Sequence, residues 1–201
     1  MNTTQLTTAL GRPLTPAEVT ALQAYVALLL KWNAAINLIG KSTEAEVWER
    51  HIADCAQLVP DVANTPTLLD MGSGAGLPAV VLAILSPNTQ VTACERVGRK
   101  ADFLKECRRA LSLTNLTVVA DDVRTLKGQT FATITARAVA TLTELFDATA
   151  ELCAPDGQFV FLKGATVDDE LATLREKYQV TTQMRLSITG GRGTIIQLKR
   201  I

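Results

Sequence analysis

With 201 residues and a mass of 21.6 kDa, the chain is long enough to bury one sizeable core and short for two, so one α/β domain with a modest extension is expected. Hydrophobic residues make up 47% and charged residues 20%, as in a globular domain, and the apolar runs read as shorter than the roughly 18 residues that span a bilayer. The 20 basic side chains balance 20 acidic ones, which argues against coating nucleic acid by bulk electrostatics and leaves local patches to decide.

Met1 to Gln5 lack the basic start and apolar stretch of a secretory signal, so a cytoplasmic location is expected. Cys55, Cys94, Cys107 and Cys153 are widely spaced and His51 is the sole histidine, so reduced buried thiols are expected, with no disulfide framework and no metal site.

Thr15, Pro16 and Glu18 spell a helix start, and Val19, Leu22, Val26, Leu29 and Leu30 follow at helical spacing. A second helix is predicted from Thr43 or Glu44 to about Leu58, stopped by Pro60. It carries Trp48, His51, Ile52 and Cys55, and Trp32, Trp48 and His51 read as packing between the two helices. Residues 1–60 therefore form a helical extension, packed on a core of residues 61–201.

From Thr67 short apolar runs alternate with helix-like stretches: Thr67 to Asp70, Gln90 to Cys94, Leu116 to Ala120, Phe131 to Thr135, and Gln158 to Leu162. Strands separated by helices imply parallel pairing with right-handed crossovers. Val180 to Ile188 and Thr194 to Lys199 are two further strands, joined through Thr189 to Gly193 as an antiparallel pair. The fold class is α/β, Rossmann-like, with a seven-stranded and mostly parallel sheet.

Between the first strand and a helix starting near Pro78 lies Asp70-Met71-Gly72-Ser73-Gly74-Ala75-Gly76-Leu77, at the carboxyl end of a strand, where open α/β sheets bind ligands. Alternate glycines permit positive φ and close approach of a bound molecule, and helix N–H groups favour an anion. The spacing is not the G-x-G-x-x-G of dinucleotide folds and favours adenosylmethionine, which has no pyrophosphate. Glu95 ends the next strand, where a carboxylate can accept both ribose hydroxyl protons, and Asp121 and Asp122 end the third, near an adenine ring. A loop serving only a tight turn, or a nicotinamide dehydrogenase, are the competing readings.

Beyond the loop, ordered segments match one family: Lys31-Trp32-Asn33 with Asn37-Leu38, Arg50-His51-Ile52-Ala53-Asp54, Asp70 to Pro78, Thr135-Ala136-Arg137-Ala138, Lys163-Gly164 and Gly191-Arg192. Over most of its length the sequence resembles the RsmG (GidB) family of bacterial methyltransferases, which act on N7 of a guanine in 16S ribosomal RNA. The resemblance implies S-adenosyl-L-methionine as cofactor, held at Gly72, Leu77, Glu95 and Asp122-Val123-Arg124, with Asp70, Gly74 and Gly76 completing the loop. It implies Arg137 as the catalytic residue in the cleft, touching cofactor and substrate, with Arg192 as a further substrate contact; because the methylated ring is cationic, Lys163 is expected to serve the substrate backbone or the structure and not the reacting ring.

The chain departs from the family at Cys55-Ala56, usually Ser-Leu, at Thr135-Ala136, where a serine usually precedes the arginine, and at Asp122 and Arg124, which reverse a common Arg and Glu. That swap favours a backbone contact from Val123 or Arg124 over a side-chain contact from Asp122.

The implied partner is 16S rRNA within the small ribosomal subunit, with no DNA or membrane partner and a monomeric enzyme. N7 carries an in-plane lone pair, so no catalytic base is needed, and in-line placement about 3 Å apart does the work. The base must be met unpaired or extruded, because N7 lies in the deep major groove of an RNA helix. Basic residues within 96–109 (Arg96, Arg99, Lys100, Lys105, Arg108, Arg109), together with Arg185, Arg192, Lys199 and Arg200, are the expected RNA-facing surfaces. A small-molecule methyltransferase and a non-enzymatic ribosome-associated protein of the same fold are the rivals.

Overall fold

The structure, a computed structural model, describes residues 3–189 and 193–201. After α1 (Thr3–Leu10), which carries no strong start signal in the sequence, Thr15 and Glu18 cap α2 (Pro16–Ile36) reciprocally. Thr15 N–H donates to Glu18 Oε2 at 2.7 Å, and Glu18 N–H donates to Thr15 Oγ1 at 3.2 Å. Contrary to the sequence expectation, α2 is by length and composition apolar enough to cross a membrane, with a mean hydropathy of 1.3. In this fold its Leu22, Tyr25, Val26 and Leu29 are buried in the main core, and Tyr25 donates its hydroxyl to Ala75 O at 2.6 Å.

The helix ends on Asn37, whose φ of 50° is a left-handed conformation that asparagine tolerates. Buried Asn33 accepts Ile39 N–H at 2.7 Å and donates to Glu44 Oε1 at 2.6 Å, which fixes the path of residues 38–40.

The predicted second helix is not continuous. A 3-10 turn (Lys41–Thr43) and a π-helical turn (Trp48–Ala53) precede α3 (Asp54–Ala56) and α4 (Val59–Val62), and Pro60 sits in the first turn of α4 instead of stopping a helix. Ile52, Ala53, Cys55, Ala56 and Leu58 are all fully buried, so packing on several sides overrides a one-face helical register.

The rest alternates: β1 (Thr67–Met71), α5 (Ala79–Leu85), β2 (Gln90–Cys94), α6 (Gly98–Ala110), β3 (Leu116–Val119), β4 (Phe131–Arg137), α7 (Leu142–Thr149), β5 (Cys153–Lys163), α8 (Val167–Lys177), β6 (Val180–Leu186) and β7 (Thr194–Arg200). The sheet order is β3-β2-β1-β4-β5-β7-β6, and β7 runs antiparallel to both its neighbours. Strand β5 starts earlier than predicted because Cys153 pairs with Phe131 across a register shift.

Alternate side chains of the sheet enter different cores. Leu68, Val160 and Leu162 join Leu22, Tyr25 and Phe103, whereas Leu69, Phe159 and Phe161 join Leu145, Phe146 and Leu174. Because the chain winds outward from β1 in one direction and from β4 in the other, the strand order reverses between them, and a crevice opens at their carboxyl ends.

Candidate active site

The loop after β1 turns through three glycines of positive φ: Gly72 at 68°, Gly74 at 51° and Gly76 at 79°. They do different work. A Cβ on Gly76 would come within 2.4 Å of Val80 Cγ2, so this glycine lets the loop pack on α5. A Cβ on Gly72 would come within 2.8 Å of both γ-carbons of Val139, across the crevice from the loop.

Asp70 lies beneath the loop, fully buried and outside the cleft lining. Its Oδ1 accepts Thr135 Oγ1–H at 2.9 Å and its Oδ2 accepts Ala79 N–H at 3.3 Å, at the start of α5. Burial, outweighing these hydrogen bonds, pushes its carboxyl up to about 7.

Glu95 closes the loop from β2. Its Oε2 accepts Gly74 N–H and its Oε1 accepts Val97 N–H, both at 2.8 Å. One carboxylate thus holds the glycine loop and the approach to α6 in fixed relation, with its side chain on the cleft wall.

The cleft has a volume of about 1080 Å³. Gly72, Gly74, Leu77, Glu95, Asp122, Val123 and Arg124 line it, as do Arg137, Ala138, Val139 and His51. Asp122 Oδ1 accepts both the backbone N–H and Nε–H of Arg124, at 3.0 and 2.7 Å, and this pairing holds the Asp122 carboxyl well below the usual range. The swapped charges therefore satisfy each other, and Val123 is presented from a turn that Asp122 caps.

Arg137 ends β4 and turns to the N-terminal segment. Its Nη1 donates to Arg50 O at 3.1 Å and to Asp54 Oδ2 at 2.9 Å, and its Nη2 donates to His51 Nδ1 at 2.5 Å. Arginine has no acceptor, so the imidazole proton lies on Nε2, facing Thr43 Oγ1 at 2.8 Å, and the threonine hydroxyl donates onward to Gly40 O. Burial, then the charges of Arg137 and Arg50, lower the His51 pKa to about 4. After Arg137, Ala138 takes a φ of 53°, and Val139 is left 41% exposed on the cleft.

One expected substrate contact lies away from the cleft, and another is not described. The Lys163 side chain is 8% exposed, bound to Glu170 Oε2 at 2.7 Å and Ala140 O at 2.5 Å, outside the cleft lining. Arg192 lies outside the described residues. Among the basic residues, Arg109 pairs with Glu106, Lys105 with Asp102 and Arg185 with Asp61, whereas Arg96 and Lys100 line the cleft.

Residues 18–198 match the family model for rRNA small subunit methyltransferase G. The chain belongs to that family. A ribosomal RNA small subunit methyltransferase G of Cereibacter sphaeroides is 42% identical over 183 residues, 89% of this chain and 88% of its own. One from Rhodopseudomonas palustris is 38% identical over 194 residues, 94% and 87% of the two chains.

Among solved structures, a ribosomal protein L11 methylase from Lactobacillus delbrueckii superposes with a TM-score of 0.61 at 18% identity, covering 74% of this chain and 77% of that one. An O-methyltransferase from Bacillus cereus, in complex with SAH, gives 0.57 at 16%, covering 88% and 90%. At that identity the likeness is one of fold, and the predicted methyltransferase architecture is the one observed.

Membership explains several motif residues physically. Asn33 and Asn37 shape the segment leading to the cleft, Trp32 packs on Phe103 with ring centroids 5.6 Å apart, and the Arg50 to Asp54 run supplies acceptors for Arg137. The packing reading of Trp32 and Trp48 agrees with their places against the main core, whereas His51 lines the cleft. Sequence reasoning missed His51, Asp54 and Thr43 as a group. The signal available was the nearness of the sole histidine to Asp54 in a family motif, without any sign of Arg137 between them.

Proposed function

We propose that this enzyme transfers a methyl group from S-adenosyl-L-methionine to N7 of a guanine in 16S ribosomal RNA of the small subunit, in the cytoplasm. The observation that carries the reading is the convergence, in one cleft, of the Glu95-bound glycine loop and the clamped Arg137. The residues fit the cofactor: Gly72 and Gly74 line the cleft with backbone alone, and Glu95 presents a carboxylate at the strand end where ribose hydroxyls are recognised. Leu77 and Val123 give the same wall apolar surface.

Bound adenosylmethionine supplies an electrophilic methyl on a sulfonium sulfur. The protein's part is placement. Arg137 offers N–H donors to the O6 edge or a flanking phosphate of the guanine, and Val139 offers an apolar face beside the loop. No proton need leave N7, which accords with a cleft whose histidine is held neutral and already hydrogen-bonded on both ring nitrogens. The ring becomes cationic on methylation, and Asp54 beside Arg137 offsets the positive charge that would otherwise oppose this. Arg96 and Lys100 at the rim are suited to phosphate.

The test is transfer of label from adenosylmethionine to small subunits lacking the modification, with nucleoside analysis. Labelled 7-methylguanosine in 16S RNA, lost in Arg137→Ala and Gly72→Asp, is the expected result. Cofactor binding without label in RNA would refute the substrate assignment.

A further inference from the structure

Asp54 stands behind the cleft wall with both carboxylate oxygens engaged. Its Oδ2 accepts Arg137 Nη1–H at 2.9 Å. Its Oδ1 accepts Gln57 Nε2–H and Ser187 Oγ–H, both at 2.9 Å, and Thr189 Oγ1–H at 3.2 Å. Gln57 ties the same group together, donating to Ser187 Oγ at 2.8 Å and accepting Ile188 N–H at 3.2 Å. The side chains of Arg137 and Asp54 are 16% and 17% exposed, so water competes little for these bonds.

A half-buried ion pair of this kind gives weak net stabilisation compared with apolar packing, because both charges must be desolvated. It does give direction. An arginine side chain left alone samples many rotamers, and here Arg50 O, His51 Nδ1 and Asp54 Oδ2 fix it from one side. The second carboxylate oxygen reaches Ser187 and Thr189, which follow β6 on its way to β7.

We propose that Asp54 is a positioning residue for methyl transfer: it aims the Arg137 guanidinium at the cleft and couples that aim to the β6–β7 connection through Ser187 and Thr189. The proposal rests on the reading of Arg137 as a substrate contact. RNA held at Ser187 and Thr189 would bear on two of the donors that fix the carboxylate, so substrate docking there and arginine orientation become one event. An asparagine at this position keeps the shape and loses the charge, and a Ser187→Ala change loosens the carboxylate from the side away from the cleft.

The experiment measures single-turnover methyl transfer to unmodified small subunits, cofactor affinity by calorimetry, and the guanidinium resonances of Arg137 in protein labelled with 15N-arginine. Asp54→Asn is expected to slow transfer about 10²-fold, as small misplacements of a positioning group do, with cofactor affinity unchanged. Ser187→Ala, which removes one neutral hydrogen bond, is expected to slow it about fivefold. Neither change should slow the residual rate further in an Arg137→Ala background, because both act through that side chain. The Arg137 Nη resonances, separate in the wild type, should average together in Asp54→Asn.

Full transfer rates in both single variants, or an equal further loss in the Arg137→Ala background, would overturn the proposal. If the wild type transfers no methyl to RNA, the functional reading fails, and the resonances decide the clamp alone: separate signals that persist in Asp54→Asn overturn it.

Discussion

The Arg137 guanidinium donates to Nδ1 of His51 at 2.5 Å, a bond that only the neutral imidazole can accept. With a folded pKa of about 4 against an ordinary 6.5, His51 resists a proton that the unfolded chain takes up freely. Stability therefore falls as pH is lowered through that window, with a slope of at most about 1.4 kcal/mol per pH unit. Asp70, raised from 3.8 to about 7, acts in the opposite sense over an overlapping range, so the net curve hides both. Comparing urea midpoints of the wild type and His51→Gln isolates the histidine. The wild type should lose ground relative to the variant between pH 6.5 and 4, and parallel curves would contradict a neutral His51.

Gly72 and Val139 should behave as a pair. Gly72→Ala places a Cβ 2.8 Å from both Val139 γ-carbons and strains a φ of 68°, so cofactor affinity and stability should both fall. Adding Val139→Ala removes the clash and should restore part of the affinity, while the strain of about 1–2 kcal/mol stays in the melting temperature. Calorimetric titration with adenosylmethionine, alongside thermal melts, separates the two. No recovery in the double variant would mean that Val139 is not what Gly72 accommodates.

Glu95 holds two backbone amides and is the proposed ribose partner. Losing hydrogen bonds to a charged group is worth about 1.5–3 kcal/mol, so Glu95→Ala should weaken adenosylmethionine binding by about 10- to 100-fold. Glu95→Gln, which keeps one acceptor, should lie between. An unchanged dissociation constant in Glu95→Ala would move the cofactor away from this carboxylate.

Lys163 should matter to the fold and not to RNA. Its ion pair with Glu170 is largely buried, the two side chains being 8% and 15% exposed, and removing one member of such a pair costs about 3–5 kcal/mol. Lys163→Ala is expected to lower the denaturation midpoint accordingly and to leave affinity for the small subunit as it was. A large rise in the subunit dissociation constant in folded Lys163→Ala would restore it as a substrate contact.

The strands from β1 to β5 were legible because each is a short apolar run bounded by turn residues, and the cofactor loop because glycine spacing and a strand-end acid are local signals. The capping box of α2 was legible for the same reason. The stretch from Lys41 to Val62 was not, since residues buried on every side carry no helical stripe, and a π-turn leaves no composition signature. Least legible was the clamp on Arg137, which joins residues 83 and 86 positions apart in sequence; their types were visible, but only the fold makes them neighbours. Lys163 shows the converse, a motif residue at a strand end whose side chain the fold turns inward.

The insertion of β7 between β5 and β6 sets an order on assembly. Strand β6 leaves the ribosome before β7 yet, among the described residues, pairs with β7 alone, so it waits without a strand partner while one edge of β5 stays open. Met184 and Leu186, still 42% and 77% exposed in the finished fold, are part of that waiting strand. Unpaired edges with apolar side chains are where nascent chains stick to one another. A polypeptide cut off before Thr194 would leave β5 and β6 unsealed at once, so the antiparallel side of the sheet is protected only when β7 has emerged.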